Sequence, residues 1–216
     1  MITEPDVTLT DYGLAILSVL FAYLLGRRGK PRPPLAIWFV VFFLSLGAAS
    51  LFGGTVHGFF GDSATLGHRV LWPATLIAIG VATLATWIIG ARMQFSPAVA
   101  RALSMAAVVQ FLVYCTVVLF VADSFWVAIV NYLPASIFLL VAFVLTYIRV
   151  RAGAMLFGVL GILLTFAGAA AQQAGIAIHP DFFDHNALYH VIQAVALVMI
   201  FRSAGWLIAA AEPSRA

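Results

Sequence analysis

A chain of 216 residues that is 64% hydrophobic and 9% charged is no soluble domain, in which roughly a quarter of residues carry charge. Its mean hydropathy of +1.09 marks an integral membrane protein. Its net charge of +3 comes from short basic clusters rather than a stripe, which excludes nucleic acid as a partner. The single cysteine, Cys115, excludes an intrachain disulfide and reads as a small packing residue.

Along the chain, Met1–Thr10 is acidic and polar where a cleavable signal would start positive, and so reads as a tail. A bilayer core of about 30 Å needs about 20 apolar residues per helix. Seven stretches meet that length: Asp11–Gly26, Leu35–Phe59, His68–Gly90, Ala98–Val121, Phe125–Ile148, Ala154–Ile178 and Asn186–Ala209. The connections are too brief to hold a soluble domain. The expected fold is therefore all-α, a seven-transmembrane-helix bundle forming one domain over residues 1–216, with tails at 1–10 and 211–216. No internal repeat and no Rossmann, Walker or G-x-S-x-G signature is present.

Direction follows from charge. Arg27, Arg28, Lys30 and Arg32, then Arg92 and Arg101, then Arg149 and Arg151, then Arg202 and Arg215 all fall at one end of the spans. The positive-inside rule makes that end cytoplasmic. The N-terminus is then outside and the C-terminus cytoplasmic, with the bacterial inner (plasma) membrane as the expected location. The opposite, outer end holds all five histidines, together with Glu4, Asp6, Asp11, Asp62, Asp123, Asp181 and Asp184; Arg69 is the one basic residue there. Histidine is the commonest metal ligand and titrates near neutral pH, so this end is where a site is expected.

Helix 2 rises toward that end through small residues to His57, with Ser50, Gly54 and His57 on one face. Helix 3 opens with His68 after the loop containing Asp62. Helix 7 opens with Asp184, His185, Asn186 and, one turn on, His190. Asp184 is a natural N-cap. His57, His68 and His190 stand at a common depth with His185 close by, enough for three imidazoles around one Zn²⁺ with a fourth position for water. Gln110, Asn131, Gln172 and Gln193 read as interhelical hydrogen-bond partners, or as lining for a lipid headgroup or amide. The five tryptophans read as interfacial anchors.

These residues resemble the superfamily of seven-helix membrane hydrolases that contains the alkaline ceramidases and the progestin and adipoQ receptors. Its pattern is Ser-x3-His at the end of helix 2, an Asp near the start of helix 3, and His-x3-His at the start of helix 7. Here His57 matches the first histidine, and the run from Asn186 to His190 looks like the last motif. Gly53 stands at the serine position with Ser50 nearly a turn deeper, Asn186 stands for a histidine, and His68 stands about where the acid belongs. The likeness covers the whole chain as architecture and three short segments as motif.

The resemblance implies a zinc-dependent hydrolase cleaving an amide or ester of a membrane lipid. The metal ligands would be His57 and His190 with His68 or His185. Asp62 or Asp184 would be the general base, and Ser50 or Asn186 would bind the oxyanion. Zinc would lower the pKa of its bound water to about 7. The acidic N-terminus, Glu4, Asp6 and Asp11, would hold Ca²⁺ as in alkaline ceramidases; a solvated tail is the plainer alternative. A metal- or pH-sensing receptor, a transporter, or a b-type haem protein with facing histidines are the other classes that use such groups.

Overall fold

The computed structural model describes residues 2–27, 34–180 and 182–211. Arg28, Lys30, Arg32, Asp181 and Arg215 therefore lie outside the described residues. The described residues form seven helices: α1 (Pro5–Gly26), α2 (Pro34–Phe59), α3 (Leu66–Gln94), α4 (Pro97–Phe120), α5 (Phe125–Val150), α6 (Gly153–Gln173) and α7 (His185–Ala210). All seven are long and apolar enough to cross a membrane.

Most boundaries agree with the hydropathy pattern, and two departures matter. Helix α1 starts at Pro5 rather than Asp11. Proline is favoured at the first helical position, and the acidic Asp6 suits the positive helix start. The hydroxyls of Thr8 and Thr10 donate to the carbonyls of Glu4 and Asp6, which lets polar residues continue an apolar helix. Asp11 thereby moves from the first residue of the expected span to the second turn of a helix, inside the bundle. Helix α6 stops at Gln173 rather than Ile178 because Gly175 adopts φ +67. Gly175 N–H then donates to Gln172 and Ile176 N–H to Ala171, the paired capping bonds of a helix closed by a left-handed glycine.

Six helices close a ring. Helix α1 packs on α2 and α7, α2 on α3, α3 on α5, α5 on α6, and α6 on α7, while α4 lies outside against α3. Helix α4 is the least buried of the seven. Gly80 leaves room for the Tyr114 ring, whose hydroxyl donates to the Leu76 carbonyl at 2.9 Å. Gln110 donates to Asn131, and Asn131 to Thr83, so these amides join α4, α5 and α3 as expected.

The two halves of the ring differ. The half that carries Arg27, Arg92, Arg149 and Arg151 is solid, filled by Phe21, Phe39, Phe42, Phe43 and Phe143 together with aliphatic residues of α6 and α7. Phe21 stacks on Phe201 with centroids 4.3 Å apart. The other half is held by close backbone approach. A Cβ at Gly54 would come within 2.7 Å of Asp11 Cβ, and one at Gly161 within 2.9 Å of the Ala196 carbonyl.

Replacing Gly54 by Val should therefore destabilise the bundle by about 1–3 kcal/mol, the usual cost of overpacking. Gly13, on α1, has nothing within 4 Å of a built Cβ, so Gly13→Ala should be neutral or stabilising. Thermal melting in detergent reads both.

Candidate functional site

Inside the hollow half lies a cavity of about 340 Å³. All six ring helices line it and α4 does not. Its walls are mostly apolar: Leu14 and Leu46 low down, Ile79 on α3, and Phe125, Ile129 and Leu133 on α5. One face of α7 supplies the polar wall, with Asn186, Tyr189, His190 and Gln193 spaced as residues sharing a helical face are.

The centre of the polar wall is a contact between α1 and α7. His190 Nε2 lies 3.3 Å from Asp11 Oδ1, with both side chains nearly buried, at 11% and 6% exposure. His190 Nδ1 lies 3.1 Å from the Thr10 hydroxyl. That hydroxyl already donates backward to Asp6 and Val7 carbonyls at 2.8 and 3.0 Å. It therefore accepts from His190, which fixes the proton on Nδ1. The remaining nitrogen and Asp11 must then share one proton, as imidazolium with carboxylate or as imidazole with carboxylic acid. Ser50, on α2, lines the cavity close enough to Asp11 to act on its carboxyl.

Nearer the mouth, His57 Nδ1 donates to Glu4 Oε2 at 2.7 Å. Asn186 Oδ1 accepts from Gln172 at 2.9 Å, and Asp6 accepts from the Asp184 backbone N–H at 3.0 Å. The acidic segment is thus a strap that ties the N-terminus to α2 and α7.

Of the residues singled out from the sequence, the structure gathers Ser50, His57, Asn186 and His190 around one cavity. It does not bring His68, His185, Asp62 or Asp184 to that lining. His68 starts helix α3 one turn in, with Nδ1 2.9 Å from the Phe60 carbonyl and its ring stacked on Trp72. His185 sits at the helix start, 41% exposed, facing Asp184 at 3.9 Å. Asp62 is exposed and closes its own turn onto Ala64 N–H. Asp184 caps α7 through Ala187 N–H at 2.8 Å, as its position before the helix suggested. The acid beside the cavity imidazole is Asp11.

The donor chemistry of His57 and His190 suits zinc, but their arrangement does not. His190 uses both ring nitrogens and His57 faces Glu4. Among the described residues, no three His, Cys, Asp or Glu side chains form a group that could hold a metal ion. Glu4, Asp6 and Asp11, considered for Ca²⁺, turn to three different partners: His57, Asp184 N–H and His190.

Asp11, Thr10 and Glu4 are the site residues that sequence analysis assigned no catalytic part. The signal that points to them is Pro5 followed by Asp6, a helix start that carries Asp11 to the depth of His190.

Because Asp11 and His190 satisfy one another in a poorly solvated place, removing either strands its partner. Asp11→Leu or His190→Leu alone should cost about 1–3 kcal/mol. The double replacement should cost less than the sum of the two, since it leaves no orphaned group. Melting of the three variants in one detergent gives the coupling directly.

The chain belongs to a family of unknown function, DUF6962, whose model matches residues 7–207. No curated protein and no solved structure matches it.

Proposed function

We propose that this chain is an intramembrane hydrolase for an amide or ester of a membrane lipid, with Asp11 and His190 as its acid–base pair. The observation that carries the reading is the nearly buried Asp11–His190 contact on the polar wall of a mostly apolar cavity of about 340 Å³. That volume lies within the range of small-molecule sites, roughly 300–1,000 Å³, which are apolar with a few convergent polar groups. Charged groups inside a helical bundle are costly to keep and are associated with function. A substrate reaching such a site arrives from the bilayer, with its chain against Ile129, Leu133 and Leu46.

The chemistry follows from the shared proton. With the proton on His190, Asp11 is a carboxylate able to accept a proton from water as the oxygen adds to the carbonyl carbon. Asp11 then returns that proton to the leaving amine or alcohol. His190 holds the charge of Asp11 throughout, and Thr10 keeps the ring oriented. Tyr189, which lines the same wall beside His190, would supply the donor for the developing oxyanion. Ser50 orients the carboxylate.

The acidic end of the bundle faces outward on this reading, because Arg92, Arg101, Arg149, Arg151 and Arg202 cluster at the other end. The cavity then opens toward the outer leaflet of a bacterial plasma membrane. A zinc-dependent form of the same reaction, as the likeness to alkaline ceramidases implies, is the second reading. It is favoured by His57 and His190 lining one cavity, and it requires both to leave their present partners.

Purified protein should release fatty acid from a panel of ceramides, acylated amino lipids and phospholipids. Asp11→Asn and His190→Ala should each lower the rate about a hundredfold or more, the usual worth of acid–base assistance. Asp62→Asn and His185→Ala should leave it unchanged. Elemental analysis should find no stoichiometric zinc; zinc lost together with activity in His57→Ala would establish the second reading. No release from any lipid ends both.

Direction has its own test. In a Cys115→Ala background, a cysteine at Ser63 should react with an impermeant reagent from outside the cell, and one at Arg151 should not. The reverse pattern would turn the bundle over.

A further inference from the structure

Below the Asp11–His190 pair, the cavity carries polar atoms that the proposed hydrolysis does not use. Gln193 is 6% exposed and lies on the cavity-lining face of α7, one turn beyond His190. Its Oε1 is buried and accepts no hydrogen bond among the described residues. A buried amide oxygen without a partner is costly, which makes it a demand for a donor.

The hydroxyls around it do not meet that demand. Thr165, facing α7 from α6, donates to its own helix at the Gly161 carbonyl, 3.1 Å away. Thr75, on α3, does the same toward the Leu71 carbonyl at 2.9 Å. Both line the same cavity, and neither has a hydroxyl proton left for Gln193. The nearby Asn186 amide is already engaged by Gln172. The unmet valence in this part of the cavity is therefore the Gln193 acceptor.

We infer that Gln193 is a specificity residue that binds a hydroxyl or N–H of the ligand, about one helical turn deeper than the group held at Asp11–His190. The ligand class is then an amphiphile with a hydrogen-bond donor set back from its reactive carbonyl, not a plain acyl ester or a hydrocarbon. The inference rests on this cavity being the ligand site, but not on any bond being broken there. A site built around a polar contact rejects an analogue that lacks the donor far more strongly than an apolar pocket rejects an extra group.

Ligands without a cleavable bond separate the two claims. A long-chain alcohol and its methyl ether, and a long-chain amine and its dimethylated form, compete against a fluorescent fatty-chain probe on the full-length protein in detergent. The wild type should bind each donor-bearing ligand about tenfold or more tightly than its methylated partner, the order expected for one stranded polar group. Gln193→Leu should bring that ratio near one without weakening the methylated ligands, which also shows that the variant is folded. Gln193→Glu, which keeps an acceptor, should retain the preference. A preference for alcohol alone or amine alone would identify which donor the site takes. Equal binding of donor and methylated ligands by wild type would overturn the inference. So would a preference that survives in Gln193→Leu, the result expected if only water occupies the amide. Fatty-acid release, measured separately, can fail while this selectivity holds, and the reverse is equally readable.

Discussion

The structure turns on placing a carboxylate and an imidazole together where water is scarce. Asp11 comes from the second turn of α1 and His190 from the second turn of α7, so their contact joins the two ends of the chain. In a low-dielectric setting each group is expensive alone and acceptable in company. Several other features exist to permit that company. Pro5 starts α1 early enough, Gly54 lets Asp11 pass close to α2, and Thr10 turns the ring of His190. Glu4 and Asp6 anchor the same strand of chain to His57 and to the start of α7. The contact between α1 and α7 also closes the helical ring, so the pair is at once a structural latch and part of the cavity wall.

The ring would collapse onto such a cavity if nothing resisted. The phenylalanine-rich half does so, since interiors packed as densely as crystals transmit strain rather than absorb it. Phe39, Phe42, Phe43 and Phe143 are essentially inaccessible and fix the helices at the arginine-bearing end. The helices then run as stiff rods toward the acidic end, where smaller residues leave space between them. The cavity is thus confined to half of the bundle, and α4, bonded through Tyr114 and Gln110, is left as a brace outside it.

The sequence made the seven helices legible because apolar runs of bilayer length admit few alternatives. Tyr114, Gln110 and Asn131 behaved as polar membrane residues usually do, finding partners across helices. The end of the bundle that holds the cavity was readable too, through the gathering of His57, His190 and Ser50 there. Its composition was not. Counting histidines gave equal weight to His68 and His185, yet one is bound to a loop carbonyl and the other sits at a helix start. Rotation about a helix axis separates residues at one depth, and depth is all that hydropathy supplies. The depth of Asp11 was misjudged for a different reason: the acidic, threonine-bearing segment before it scores as a tail, although its hydroxyls bond backward and its acids find partners. Gln193 was legible only as one of several amides until its neighbours showed it unpaired.

The central claim is that this cavity holds a membrane amphiphile against Asp11 and His190, and native mass spectrometry tests it most directly. Protein extracted in mild detergent should retain one hydroxyl- or N–H-bearing lipid per chain. Ala169→Phe, which fills the α6 side of the cavity lining, should lose it while melting normally. A wild-type protein that retains no lipid, or one that retains the same lipids as Ala169→Phe, would contradict the account.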